Sequence, residues 1–152
     1  MKSLAASGEY RKGEFNYQDN YSFGQNRFSF AARYGRAFNG GLSIFNRFSL
    51  GGFQQLSGYR PGELQGEAVA FARLAYYRRL AQLQNPFGKT LYAGFSMEAA
   101  RIGNDAETLW KTPTKNSLGL FVGFDTLIGP LYLGYGRAKE RSTLFYLFLG
   151  QP

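Results

Sequence analysis

The chain has 152 residues, with 18 Lys and Arg against 10 Asp and Glu for a net charge of +8, and contains neither cysteine nor histidine. Such a length supports one domain with its own core, while the missing thiols exclude a disulfide framework, a thiolate metal site and a thiol nucleophile, and the missing imidazoles remove the commonest metal ligand and general base. Aromatics are 18% of residues, with 15 Phe, 11 Tyr and one Trp, and Gly numbers 20, a composition that favours strands and turns over helices.

Met1–Tyr10 has Lys2 but no apolar core, so it does not read as a secretory signal, and a location beyond an inner membrane would make this chain a fragment. Glu9–Tyr17 has strand-forming aromatics with weak alternation, and Asp19–Gln25 reads as a turn-like connection. Arg27–Phe38 alternates well, with Phe28, Phe30, Ala32 and Tyr34 on one face and Arg27, Ser29, Ala31 and Arg33 on the other. Asn39, Gly40 and Gly41 signal a hairpin into a third strand, Leu42–Leu50.

A long Gly- and Pro-containing loop, 51–66, then leads into the strand around which the chain is organised. From Glu67 the even positions run Ala68, Ala70, Ala72, Leu74, Tyr76, while the odd ones carry Glu67, Arg73 and Arg79. One side is apolar over the roughly 9 to 11 tilted residues that cross a bilayer, beyond the roughly 5 or 6 of an average soluble strand. Asn85 and Pro86 stop it.

A fifth strand, Lys89–Ile102, sets Leu91, Ala93, Phe95, Met97 and Ala99 against Tyr92, Gly94, Ser96, Glu98 and Ala100. After a second long loop, Gly103–Asn116, Ser117–Thr126 sets Leu118, Leu120, Val122 and Phe124 against Gly119, Phe121, Gly123 and Asp125. Beyond a short turn at Ile128–Pro130, Leu131, Leu133 and Tyr135 oppose Tyr132, Gly134 and Gly136; Ser142–Leu149 is apolar on both faces, so its phase stays open. Eight meander strands with short turns on one rim and long loops on the other predict an all-β, antiparallel transmembrane β-barrel. No run approaches the 18 or so apolar residues of a membrane-spanning helix, and the mean hydropathy of -0.32 is compatible with a barrel whose strands hide half their residues in a polar lumen.

Four segments make the pattern specific: LSGYRPGEL (Leu56–Leu64), ARLAYYRRL (Ala72–Leu80), GFDTLIGPLYLGYG (Gly123–Gly136) and STLFYLFLG (Ser142–Gly150). Together they resemble the C-terminal part of the bacterial surface antigen barrel, the outer-membrane superfamily of barrel-assembly and two-partner-secretion transporters, and most of all the barrel of patatin-like phospholipase autotransporters. The resemblance implies a sixteen-stranded barrel whose signature loop folds into the lumen between strands eleven and twelve. With three strands before the loop and five after it, residues 1–152 resemble strands nine to sixteen, the C-terminal half, without receptor-like repeats, the first eight strands or a G-x-S-x-G nucleophile elbow.

The family's loop motif is V-R-G-[FY], its arginine reaching a lumenal acid. Here the loop reads Leu56, Ser57, Gly58, Tyr59, Arg60, Pro61, Gly62, and Ser57 stands where the arginine would be. Two readings remain for Arg60: a substitute that reaches Glu98 or Asp125, with Arg73 among the lumenal ion-pair candidates, or a solvated loop residue. The family's chains end in an aromatic, whereas this one stops at Pro152.

The scattered carboxylates Glu63, Glu67, Glu98 and Asp125 among arginines read as structural ion pairs, so neither catalysis nor a cofactor is expected. Gly134 and Gly136 lie on an alternating strand with no helix after them, and read as room for bulky neighbours, not as a phosphate loop. Tyr10, Tyr17, Tyr76, Tyr77 and Trp110 form a candidate interfacial girdle. The charge could suggest nucleic acid, but the arginines are dispersed and no stacking platform accompanies them. The expected function is therefore a bacterial outer-membrane component that anchors and helps translocate or insert a passenger or client polypeptide. Its partners would be outer-membrane lipid and either a second copy or the missing N-terminal barrel half, since open sheet edges are costly in hydrocarbon. The alternative is a soluble eight-stranded lipocalin-like ligand-binding barrel, with its apolar residues inside and its charges outside.

Overall fold

The computed structural model describes residues 12–37, 47–85, 88–139 and 143–150; these are all-β, and most of them belong to one antiparallel sheet. In order the elements are β1 (Lys12–Phe23), β2 (Asn26–Ala37), β3 (Phe48–Leu50), β4 (Leu64–Gly66), β5 (Ala68–Asn85), β6 (Gly88–Gly103), α1 (Ala106–Leu109), β7 (Lys115–Thr126), β8 (Gly129–Ala138) and β9 (Leu144–Leu149). The main sheet runs β1-β2-β5-β6-β7-β8-β9, and β3 and β4 pair only with each other.

Among the described residues the main sheet thus has seven strands where eight were expected. The third expected strand, Leu42–Leu50, is described only in its last residues, and these pair Phe48 with Gly66 and Leu50 with Leu64. Phe48–Leu50 has no place between β2 and β5 in the main sheet because those two pair directly, from Asn26↔Arg78 to Arg36↔Ala68. The expected hairpin at Asn39–Gly41 lies outside the described residues. The polar stretch from Asp19 is likewise not a connection: β1 continues to Phe23 and turns at Gly24 and Gln25, with Tyr21 opposite Phe28. Gln18, Asn20 and Ser22 read as loop in composition, yet they occupy alternate positions on one face of a strand. In the second long loop, Asp105 caps α1 by accepting from the Thr108 amide at 2.7 Å, and Thr108 returns its hydroxyl toward the Asp105 backbone, a capping box in D-x-x-T form.

Alternation splits the sheet into an outer and an inner face. One register row crosses all seven strands on the outer face: Tyr21, Phe28, Tyr76, Phe95, Leu120, Tyr135 and Phe145. Neighbouring rings in it lie close, Phe28–Tyr76 at 5.1 Å and Tyr76–Phe95 at 5.6 Å between centroids, the cross-strand contact that stabilises sheets. Other outer residues of β6 and β7 are apolar and exposed as well, among them Met97 at 55%, Leu118 at 44% and Val122 at 46%. The phase of β9, open in the sequence, is set by pairing: Phe145, Leu147 and Leu149 point outward, while Tyr146 and Phe148 reach the inner side and meet the ring of Phe53.

The inner face is where burial occurs. It holds Ser29, Arg73, Ser96, Glu98 and Ser117, all buried, together with Phe121 and Tyr132. The connection between β3 and β4 covers them. Two apolar clusters join this cover to the sheet, one around Phe48, Leu50, Leu56, Tyr59, Val69 and Phe71, the other around Phe53, Phe121 and Tyr132.

Candidate functional site: the inner loop and its seat

Residues 51–63 form a compact loop closed by its own backbone. The amide of Gly51 donates to the Gln55 carbonyl at 2.7 Å, that of Gly52 to the Tyr59 carbonyl at 2.8 Å, and that of Tyr59 to the Leu56 carbonyl at 2.9 Å. Two side-chain-bearing residues, Gln54 and Leu56, take left-handed backbone angles, φ 58° and 75°. That conformation is costly outside glycine, and it is held by burial: both residues are fully shielded from solvent.

The pin is Ser57. Its amide donates to Glu98 Oε2 at 2.5 Å and its hydroxyl to Glu98 Oε1 at 2.8 Å, while the Ser96 hydroxyl reaches the same Oε1 at 2.6 Å. The Ser57 hydroxyl in turn accepts the Gln54 amide at 3.0 Å, and the Tyr146 hydroxyl lies 2.8 Å from the carbonyl oxygens of both Ser57 and Tyr59. Next to it, the Gly58 amide donates to Ser117 Oγ at 2.5 Å. A buried carboxylate is costly unless its lone pairs are occupied, and here three donors occupy Glu98. Bonds to a charged group contribute about 1.5–3 kcal/mol each, so this short stretch fixes the loop to β6, β7 and β9 together.

The seat is cut by missing side chains. A Cβ on Gly136 would lie 1.7 Å from the Ser57 carbonyl oxygen, one on Gly119 would lie 2.5 Å from Ser96 Oγ and 2.8 Å from Ser57 Oγ, and one on Gly134 would lie 2.7 Å from the Phe53 ring. The two glycines of the GYG segment therefore admit the loop backbone at one point and an aromatic ring at the other.

The sequence-derived residues separate into two groups. Leu56, Ser57, Gly58 and Tyr59 are buried in the seat, whereas Arg60, Pro61 and Gly62 are exposed at its edge. Arg60 and Glu98 are not brought together: the Arg60 amide meets Glu63 Oε2 at 2.8 Å, and the serine in the arginine's place takes the carboxylate instead. Asp125 lies apart from both and accepts from the Tyr92 hydroxyl. Arg73 stands opposite Glu98 in register, yet its Nη1 points to the Gln54 carbonyl at 3.4 Å.

Among the proposed girdle residues, Tyr77 faces inward, donating to Gln54 Oε1 at 2.9 Å and packing on Phe121 at 4.9 Å. Its odd position in β5 places it there. Trp110, exposed, stacks on Tyr34 at 6.5 Å, and Tyr10 lies outside the described residues. Sequence reasoning passed over Ser96, Ser117, Gln54 and Tyr146. Ser96 and Ser117 sit on the inner phase of their strands, a signal that was available; Tyr146 was hidden by the two-sided apolarity of β9.

Among the described residues no group of three acidic side chains gathers as metal ligands, and no helix is long and apolar enough to cross a membrane, which says nothing of crossing by strands. The Ser57 hydroxyl is buried at 0% exposure and committed to a carboxylate, so this arrangement does the work of a clasp. No protein-family model and no curated protein matches the chain.

Proposed function

We propose that this chain is the C-terminal part of a bacterial outer-membrane β-barrel of the surface antigen type, which anchors a passenger or client polypeptide and helps translocate or insert it. The observation that carries this reading is the polarity of the sheet. Large apolar side chains are exposed on the face opposite the loop, among them Leu74, Met97, Leu118, Leu120, Val122 and Leu133 at 44–62%, while Arg73, Glu98 and three serines are buried on the other. A wall between hydrocarbon and a polar interior needs this arrangement; a lipocalin-like ligand barrel needs the reverse. Contiguous exposed apolar surface is also rare on soluble monomers.

Two further features fit. On β6 the outer positions from Leu91 to Ala99 are apolar, the length a tilted strand uses to cross a bilayer. A loop clasped to the inner wall is what the family's signature loop does. Among the described residues five strands follow the loop and two of the main sheet precede it, which in the family's count correspond to strands ten to sixteen.

Strands β1 and β9 are the ends of the sheet among the described residues. In hydrocarbon each unpaired backbone group costs several kcal/mol, so those edges pair with a second copy of the chain, with the rest of the barrel or with each other. The test is the mass of the folded chain in detergent, by light scattering corrected for bound detergent, beside a detergent-free control. A detergent-requiring particle of two chains supports the wall with a second copy as its complement. A detergent-requiring single chain supports the wall closed on itself. A stable monomer in plain buffer removes the membrane reading.

A further inference from the structure

The loop leaves one part of the inner face uncovered. Between the β1–β2 turn and the start of β8 lies a cavity of about 270 Å³, reached by β1, β2, β5, β6, β7 and β8. Its charged lining is Arg27, Arg73, Arg79 and Asp125. Three guanidiniums thus face one carboxylate, and that carboxylate is engaged by the Tyr92 hydroxyl.

Arg73 is the telling residue. It is 7% exposed, and among the described residues its one hydrogen bond is the long one from Nη1 to the Gln54 carbonyl at 3.4 Å, while its Nε meets no acceptor. The Gln54 side-chain nitrogen is buried without an acceptor as well. A buried guanidinium left this poorly paired is strongly unfavourable. Of the two, Arg73 lines the cavity, and its orphaned group is a cationic donor, so what the site lacks is acceptor oxygens carrying negative charge. On the cavity wall Arg27 lies over the Tyr77 ring at 5.8 Å, which orients its fork while leaving its N–H groups for a ligand.

We propose that this cavity binds a phosphate group, either free or on a small phosphorylated molecule or lipid headgroup. Arg73 and Arg27 supply the forked contacts and Arg79 closes the rim. A dianion matches the excess of two positive charges among the lining residues, and Arg forks bind phosphate oxygens in pairs. The volume lies just below the roughly 300–1,000 Å³ of sites for larger ligands, which suits a small headgroup. The site is a property of the folded inner face, so it is tested whether or not the chain spans a membrane.

The experiment is calorimetric titration of the folded chain with inorganic phosphate in chloride buffer, in alkyl maltoside micelles if the chain needs them and in plain buffer if it does not. The expected result is saturable one-site binding, weakened about tenfold or more by Arg73→Gln and unchanged within about twofold by Arg137→Gln, an outward-facing control with the same change in charge. Should Arg73→Gln not fold, the exposed Arg27→Gln carries the test, with the same loss expected. A second arm uses maltoside micelles doped with phosphatidic acid. Binding only in that arm, lost in Arg27→Gln, assigns a lipid headgroup; binding of free phosphate assigns a soluble ligand. No saturable binding in either arm, or equal losses in Arg27→Gln and Arg137→Gln, overturns the site. A chain that proves soluble but binds phosphate loses the proposed membrane role and keeps the cavity.

Discussion

The two faces of the main sheet are made from the same strands but obey different rules. Outside, side chains are alike in kind: Leu, Met, Phe and Val recur at alternate positions along β6 and β7, and rings such as Phe28, Tyr76 and Phe95 meet across neighbouring strands. Inside, each position answers to one partner, with Glu98 at Ser57, Ser117 at the Gly58 amide, and Gly136 at the Ser57 carbonyl. A face that need only be apolar tolerates exchange among apolar residues, whereas a face that must seat a loop tolerates little.

Placing a charge outside tests the contrast most strongly. In a membrane wall Leu120→Arg costs about 2–4 kcal/mol near the midplane, measured as a lowered urea midpoint for the chain folded into lipid vesicles; a shift near zero would mean that the outer face meets water. Next comes Gly136→Ala. Its Cβ would fall 1.7 Å from a backbone oxygen, so the loop must lift, at about 1–3 kcal/mol or more, and protease cleavage within 51–63 should accelerate while Leu120→Met leaves it unchanged.

Glu98→Gln keeps the size of the side chain but turns one acceptor into a donor facing the Ser57 amide or hydroxyl, and is expected to lower stability by about 1–3 kcal/mol. Hydrogen exchange at the Ser57 amide would report it, and unaltered protection there would remove Glu98 as the pin. Tyr146→Phe deletes a hydroxyl shared by two carbonyls, for about 0.5–1.5 kcal/mol, read as a smaller midpoint shift than that of Glu98→Gln. The smallest effect belongs to Asp105. Its carboxyl is held below the usual carboxylate range, chiefly by the Thr108 amide, so its stabilisation is complete above the unfolded pKa and is lost as pH falls through the lower folded value. Asp105→Asn should erase that acid-side dependence without moving the loop.

How much of this was legible follows from the same contrast. The period of two in Leu91–Ala99 and Leu118–Phe124 gave β6 and β7 to within two residues at each end, because alternation is imposed locally by the pleat. The same rule failed in β1, where Gln18, Asp19 and Asn20 resemble a turn, and in β3, where an apolar pattern suited a sheet strand but pairs only with β4. Nothing local distinguishes an edge strand with a polar inner phase from a connection, or a wall strand from a ribbon carried on a loop.

The all-β character, the phase of each clearly alternating strand and a long connection after Leu50 could be read locally, since these depend on backbone geometry and residues one or two positions apart; that its last residues, Leu64–Gly66, form β4 could not. That β2 meets β5, that Tyr146 comes 89 positions back to hold Ser57, and that Glu98 takes the serine while Arg60 stays at the rim emerges from the folded chain. Those choices depend on register and close packing between segments far apart in the chain. The loop comes to rest where its buried donors meet acceptors and its backbone meets glycine, and only the folded sheet assembles such a place.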